Sequence, residues 1–306
     1  MEQLIDNQPK QKTPKPRNGF VAFLFSLILP GLGQVYNGQP KKGAIFFCLL
    51  LLIPFLFGMT RGTTFFYGMV ALFVLEIILR IYILIDGVRH ARRQRVYIQK
   101  PYNTWYYHLF IAIGMSAVLA VYDLNAAMGT QSFKIPAISN NPTFQSGDFI
   151  VADMRAYQNK NPEYGDLVVF LGRDGQTYTF RIVGLPNDEL AVIDGIVSIN
   201  GKLCKSRFVR PTIDLGMQVE EFEEVLPNGH THLIYKCGRP YEGKIPDFEK
   251  ILIPADCYFL MGDNRDFSRD SRFDGFVSKD QIIGRMVYSY WGETGSVRMN
   301  VDFRDK

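Results

Sequence analysis

Cysteine is scarce. Four residues in a chain of 306 are too few for a disulfide framework. No Cys-x-x-Cys pair or mixed His/Cys spacing suggests a metal site, so neither a metal nor an organic cofactor is expected. Internal repeats and low-complexity tracts are lacking too, which excludes a repeat architecture. A strong net charge is also missing: the total is +4. That small sum conceals a division, because residues through Ala127 hold 13 basic and 5 acidic side chains, whereas the remainder holds 21 and 25. The front is basic and apolar, the back mildly acidic. Basic charge beside apolar runs points to an anionic membrane surface, and no nucleic-acid partner is expected.

Four apolar stretches occupy the front: Gly19–Tyr36, Gly43–Met59, Thr64–Asp86 and Trp105–Tyr122. A bilayer core needs about 20 helical residues. The third and fourth read as spans, and the second becomes one when its flanks extend it. The first is broken by Pro30-Gly31-Leu32-Gly33 and reads as a re-entrant or interfacial helix pair. Basic clusters at Lys10–Arg17, Lys41-Lys42 and Arg89–Lys100 all belong on the cytoplasmic side. The simplest topology leaves 19–38 non-spanning, pairs the second and third stretches as a hairpin and sends the fourth outward, so that residues after about 128 are extracytoplasmic. Glu76 and Arg80 lie in a span at i,i+4 spacing and read as a mutually neutralising pair. A cleaved leader is not expected: the polar lead is long, no small-x-small site follows, and more spans come after it.

From about Lys134 the apolar runs become short and rich in Val, Ile, Phe and Tyr, with Gly, Pro, Asn and Asp between them. Phe149–Ala152, Asp166–Phe170, Thr177–Val183, Ala191–Ile199, Tyr258–Met261 and Arg285–Trp291 read as strands. Asp194-Gly195 and Asn200-Gly201 are turn dipeptides that bound a hairpin strand. Leu203–Lys250 is polar and irregular and reads as an insertion. The fold class is therefore membrane helices at the N-terminus followed by a mainly antiparallel β extracytoplasmic domain with an inserted subdomain. Its parts are a membrane module at 1–104, an anchor at 105–127 and a β domain at 128–306 with its insertion at about 203–250.

Three segments carry chemistry. In the first, Ser139-Asn140-Asn141-Pro142-Thr143 follows an extended lead, Phe133-Lys134-Ile135-Pro136, and Pro142 restricts Asn141 to extended geometry. Taken alone it is a good surface turn. The second is Phe180-Arg181-Ile182-Val183-Gly184-Leu185-Pro186-Asn187-Asp188. The third is Gly262-Asp263-Asn264-Arg265-Asp266-Phe267-Ser268-Arg269-Asp270-Ser271-Arg272, too patterned for a solvated charged turn. A calcium loop is set aside, because Arg265, Arg269 and Arg272 would repel the cation. Alternating Asp and Arg instead predict bidentate pairing within a rigid loop.

Taken in this order, the three segments resemble bacterial type I signal peptidases, membrane-anchored serine endopeptidases that remove signal peptides from exported proteins. The resemblance covers residues 105–291. It implies that Ser139 is the nucleophile, that Ile135, Pro136, Ala137 and Pro142 border the substrate, and that Ser268, Asp270 and Arg272 shape the site together with Asp263, Asn264, Arg265 and Asp266. The family's general base is a lysine, and Phe180 occupies that position here. Ala137 stands where the family has a serine or glycine that helps the oxyanion, a donor worth roughly 10²–10³ in rate. Arg181 is too basic to replace the lysine and points to the opposite face. His230, His232 and Lys134 are the other conceivable acceptors.

Ser139 lies some 17 residues beyond the last stretch, at most ~60 Å of chain from the membrane. The resemblance implies a multi-pass protein of the bacterial inner membrane acting on exported preproteins, in contact with the lipid bilayer and with secretion machinery. It cleaves after small residues; the alternative is a catalytically silent homologue that binds signal peptides or partners an active peptidase. Of Cys204, Cys237 and Cys257, an oxidised pair outside the cytosol would be Cys204–Cys237. The Pro30–Gly43 stretch and its hairpin are similar to small two-helix membrane modules, a likeness that implies no chemistry.

Overall fold

The computed structural model describes residues 16–98, 100, 103–193, 195–237, 248–292 and 298–304. Most of the Lys10–Arg17 cluster, Asp194 and residues 238–247 of the expected insertion lie outside the described residues. The chain divides into two compact units, Met1–Gly62 with Tyr67–Met128, and Thr63–Phe66 with Gly129–Lys306.

The first unit is helical. Helix α1 (Gly19–Ile28) is capped by Asn18, whose side chain accepts from the Phe20 N–H at 2.8 Å. Pro30-Gly31 ends it, and α2 (Leu32–Tyr36) follows as the second half of the expected broken pair. A Cβ on Gly31, at φ +99°, would lie 2.2 Å from the Gly43 carbonyl oxygen, so only glycine fits this crossing. Helix α3 (Pro40–Met59) starts with proline in its first turn, where the missing N–H costs nothing. Helix α4 (Phe66–Arg93) runs past Asp86 into the basic cluster and places His90, Arg92 and Arg93 in its last turn, where cations suit the helix dipole. These two helices are long and apolar enough to cross a membrane. The fourth stretch was expected to be a span, but α5 (Trp105–Val121) has 17 residues and stops where Tyr122 turns extended. The short α6 (Leu124–Met128) follows.

Polar groups knit these helices together. Gln34, fully buried, donates to the Ile83 carbonyl at 2.9 Å and to Asp86 at 3.2 Å, while Lys42 reaches Asp86 at 2.6 Å. Glu76 and Arg80, the expected pair, make no contact ion pair, although the Arg80 charge acts on the Glu76 carboxylate. Both line a cavity of about 540 Å³ between the helices, and among the described residues Glu76 Oε1 has no hydrogen-bond partner.

The second unit is mainly antiparallel β. Its largest sheet joins β1 (Thr130–Lys134), β2 (Phe149–Asp153), β14 (Ile282–Trp291), β3 (Leu167–Leu171), β4 (Thr177–Gly184), β12 (Cys257–Met261) and β13 (Val277–Ser278), in that spatial order. Strand β4 lies between β3 and β12 and is buried on both faces from Phe180 onward, which explains its run of Phe, Ile and Val. A second sheet orders β11 (Phe248–Leu252), β5 (Glu189–Ile193), β6 (Ile196–Ile199) and β7 (Lys202–Leu203), so the expected Ala191–Ile199 strand is two strands of a hairpin.

The expected irregular insertion is instead a three-stranded meander of β8 (Ser206–Asp214), β9 (Met217–Val225) and β10 (Thr231–Lys236). Its strands carry many charged residues, such as Arg207, Arg210, Glu220, Glu221, Glu223 and Glu224, which masked a half-exposed sheet as a polar loop. No disulfide joins any of the four cysteines, so the Cys204–Cys237 bridge is absent. Cys204 packs against Val197 and Leu226 in the core, where burial pushes its thiol up to about 12.

Candidate active site

The Ser139 loop leaves β1 and is fastened on both sides. Asn140 donates to the Thr179 carbonyl of β4 at 2.7 Å. The Asn264 N–H donates to the Ser139 carbonyl at 3.0 Å, and its side chain donates to that of Ile138 at 3.2 Å. Thr143 donates to Asp263 at 2.6 Å. The first and third motifs, 125 residues apart at Ser139 and Asn264, thus meet by backbone contact. Gly262 permits the approach: a Cβ there would lie 2.4 Å from the Ser139 carbonyl oxygen and 2.2 Å from Ser268 Oγ.

A cleft of about 520 Å³ opens at this junction, with Ala137, Ser139, Phe170, Phe180 and Asp270 among its walls. The Phe180 ring packs 5.9 Å from that of Phe170, which is 5.9 Å from Tyr178, giving an aromatic wall. Of the expected substrate-bordering residues, Ala137 lines the cleft. Ile135 does not; its side chain is in the core with Phe144 and Ile150. Pro136 is exposed and Pro142 half-buried, and neither forms a cleft wall.

Strand alternation separates Phe180 from Arg181 as expected. Arg181 is fully buried and grips Asp263 with two bonds of 2.8 and 2.7 Å. Burial alone would raise the Asp263 carboxyl, but the Arg181 charge and its hydrogen bonds overcome this and hold it below the usual range. His230 lies 3.2 Å from Arg181, and His232 lies between Glu224 at 3.4 Å and Asp263 at 3.8 Å. Both histidines therefore sit with Arg181 and Asp263, and neither lines the Ser139 cleft. Burial, then the Arg181 charge, push the His232 imidazole down from its ordinary value. Lys134 is exposed on β1 with its ammonium 5.7 Å from the Phe149 ring centroid. Among the described residues, no side chain hydrogen-bonds the Ser139 hydroxyl.

The third motif is rigid, though not by pairing within itself throughout. Asp270 and Arg272 do pair, through bonds of 2.8 and 2.8 Å with both side chains fully buried. Asp270 also accepts the Gly262 N–H at 2.9 Å, and Arg272 donates to the Arg265 carbonyl at 2.6 Å. Asp263 pairs with Arg181 of β4, Arg265 with Glu224 of β9 at 2.8 Å, and Asp266 accepts the Cys237 N–H at 2.6 Å. Burial would raise Glu224, but Arg265 and His232 hold it well below the carboxylate range. Ser268 Oγ is buried and has no hydrogen-bond partner among the described residues.

Sequence reasoning missed Glu224 and Asp214. The Asp214 carboxylate accepts from Asn141 at 2.8 and 3.0 Å, beside Ser139. Both belong to the meander, and no local motif marks either as a partner of the site.

Comparison with known proteins places these features in context. Residues 103–291 match the family model described as "Signal peptidase, peptidase S26". A probable signal peptidase I-2 of Synechocystis sp. is 28% identical over 203 residues, covering 62% of this chain and 75% of that protein. A signal peptidase I of Rickettsia canadensis is 32% identical over 188 residues, covering 50% and 71%. A crystal structure of a signal peptidase I from Enterococcus faecalis V583 aligns at 23% identity and TM-score 0.25, covering 41% of this chain and 97% of its own.

Proposed function

Since this chain belongs to the signal peptidase family, peptidase S26, and shares its general function, we propose that it is a membrane-bound serine endopeptidase that cleaves signal peptides from exported preproteins after small residues. The observation that carries this reading is the cleft in which Ser139 and Ala137 face the side of the 262–272 loop held by Asp270. In this reading Ser139 Oγ adds to the scissile carbonyl carbon and its proton ends on the departing amine. Water then releases the acid from the acyl-enzyme. The Ser139 N–H serves the oxyanion, Ala137 supplying no side-chain donor. The Asp270–Arg272 pair and the Arg181–Asp263 pair act as positioning groups. Helices α3 and α4 support membrane attachment, with the β unit extracytoplasmic and preproteins as partners.

A second reading is favoured by Phe180, an aromatic side chain in the base position of a cleft whose serine has no hydrogen-bonding acceptor among the described residues. It makes the chain a silent homologue that binds signal peptides. Without a base, a loss of roughly 10⁴–10⁶ in rate is expected. The test is turnover of a labelled preprotein by the full chain in liposomes. Cleavage by the unaltered protein that Ser139→Ala abolishes supports the peptidase. Cleavage that appears only with Phe180→Lys, and vanishes again with Ser139→Ala, supports the silent homologue. Binding without turnover in every form would contradict the peptidase reading.

A further inference from the structure

The inserted meander reaches the Ser139 loop through Asp214. This residue ends β8 and pairs with Met217 across a two-residue turn, in which Leu215 has φ +48° and Gly216 φ +81°. Positive φ at both central positions gives the tight turn that suits the twist of a hairpin, so the carboxylate is presented from a closed hairpin end. Its two oxygens accept from the Asn141 side chain at 2.8 and 3.0 Å, and one of them lies 3.5 Å from the Asn264 side-chain nitrogen. Both asparagines are buried. Among the described residues the Asn141 side-chain nitrogen has no partner but Asp214.

The two asparagines in turn hold the peptide that carries the Ser139 N–H. The Ile138 carbonyl, at the other end of the same rigid plane, accepts from the Asn141 N–H at 3.0 Å and from the Asn264 side chain at 3.2 Å. The Asn264 N–H holds the Ser139 carbonyl at 3.0 Å. A side-chain amide has two N–H groups, so Asn264 can serve Ile138 and Asp214 at once. The Ser139 N–H itself donates to no group among the described residues. Ala137 brings no side-chain donor, so in the peptidase reading this N–H serves the oxyanion. Its direction follows the tilt of the 138–139 peptide, which Asp214 braces from the insertion.

We propose that Asp214 is a positioning residue for the reaction, aiming the Ser139 N–H at the oxyanion through Asn141 and Asn264. The inference rests on the peptidase reading of the Ser139 cleft. An oxyanion donor acts on the transition state more than on bound substrate, so a tilted peptide lowers kcat and spares KM. Its test measures kcat and KM for a labelled preprotein with the full chain in liposomes, using the unaltered protein, or Phe180→Lys where only that form cleaves. Values of kcat are referred to the folded fraction, so that a merely structural role would not move them. Asp214→Asn keeps the shape but turns a donor toward the Asn141 donor. It should lower kcat about ten- to hundredfold, within the cost of losing one oxyanion donor, and leave KM within about twofold. Asn141→Asp, which sets two carboxylates face to face, should do the same. The double exchange, Asn141→Asp with Asp214→Asn, restores one donor facing one acceptor and leaves an amide oxygen for Asn264. It should bring kcat back to within about threefold of its parent. Single variants that keep kcat, that lose it without recovery in the exchange, or that fail to fold would make Asp214 a structural residue only. Any of these overturns the inference and leaves the peptidase reading standing. If neither parent cleaves, the peptidase reading falls and takes the inference with it.

Discussion

Ser268 carries a hydroxyl that is buried and has no hydrogen-bond partner among the described residues. Desolvating a polar group with nothing to bond costs about 1–3 kcal/mol, so Ser268→Ala should leave thermal stability unchanged or raise it by up to about 1 kcal/mol, read by thermal denaturation. Arg272→Ala should behave oppositely. It strands the fully buried Asp270 carboxylate, and breaking such a pair costs about 3–5 kcal/mol. Both side chains come from the same motif, and sequence reading treated them alike as site-shaping. The difference is that Asp270 and Arg272 find each other two residues apart, whereas Ser268 Oγ has no hydrogen-bond partner among the described residues. Local spacing revealed the pair, and the orphan hydroxyl became visible only once burial was known.

At the scale of elements, the meander of β8, β9 and β10 braces the site. Its Glu224 and His232 sit against Arg265 and Asp263 inside the fold. All three titratable groups have folded values below their ordinary ones: His232 through burial and then Arg181; Asp263 and Glu224 because Arg181 and Arg265 overcome burial. A depressed value means that the unfolded chain takes up the proton first. Their stabilisation is therefore complete above about 6.5, the ordinary histidine value, and falls as pH drops. His232 contributes first, and the carboxylates follow below their ordinary values of 4.5 and 3.8. Denaturant titrations from pH 8 to 4 should show declining stability, with His232→Gln flattening the part between about pH 6.5 and 5. A slope near 1.4 kcal/mol per pH unit is the limit for one proton. The principal strands were legible from short Val, Ile and Phe runs and turn dipeptides. This meander was not, because one face of it is solvated and its charged residues read as loop.

For the whole molecule, the proposed topology assigns two units of different composition to a membrane-embedded front and an extracytoplasmic back. The apolar runs made α3 and α4 legible, while the length of α5 depended on where the backbone turns extended at Tyr122. The proposed topology predicts opposite labelling of two exposed positions, Val96 at 72% and Leu203 at 69% exposure. In intact cells, and with the four native cysteines replaced, Leu203→Cys should react with a membrane-impermeant maleimide. Val96→Cys should react only after permeabilisation. Equal reaction at both would overturn the orientation.

Position 180 and Ser139 line one cleft. The pH–rate profile of preprotein cleavage by Phe180→Lys tests this most directly. A lysine placed there, desolvated by Phe170, should act as a base with an apparent pKa below the ordinary value of about 10.4. Cleavage should rise by at least about 10² over the unaltered protein, increase along an alkaline limb set by that lysine, and disappear with Ser139→Ala. A folded Phe180→Lys protein that cleaves no faster at any pH, or whose rate lacks that limb, would contradict it.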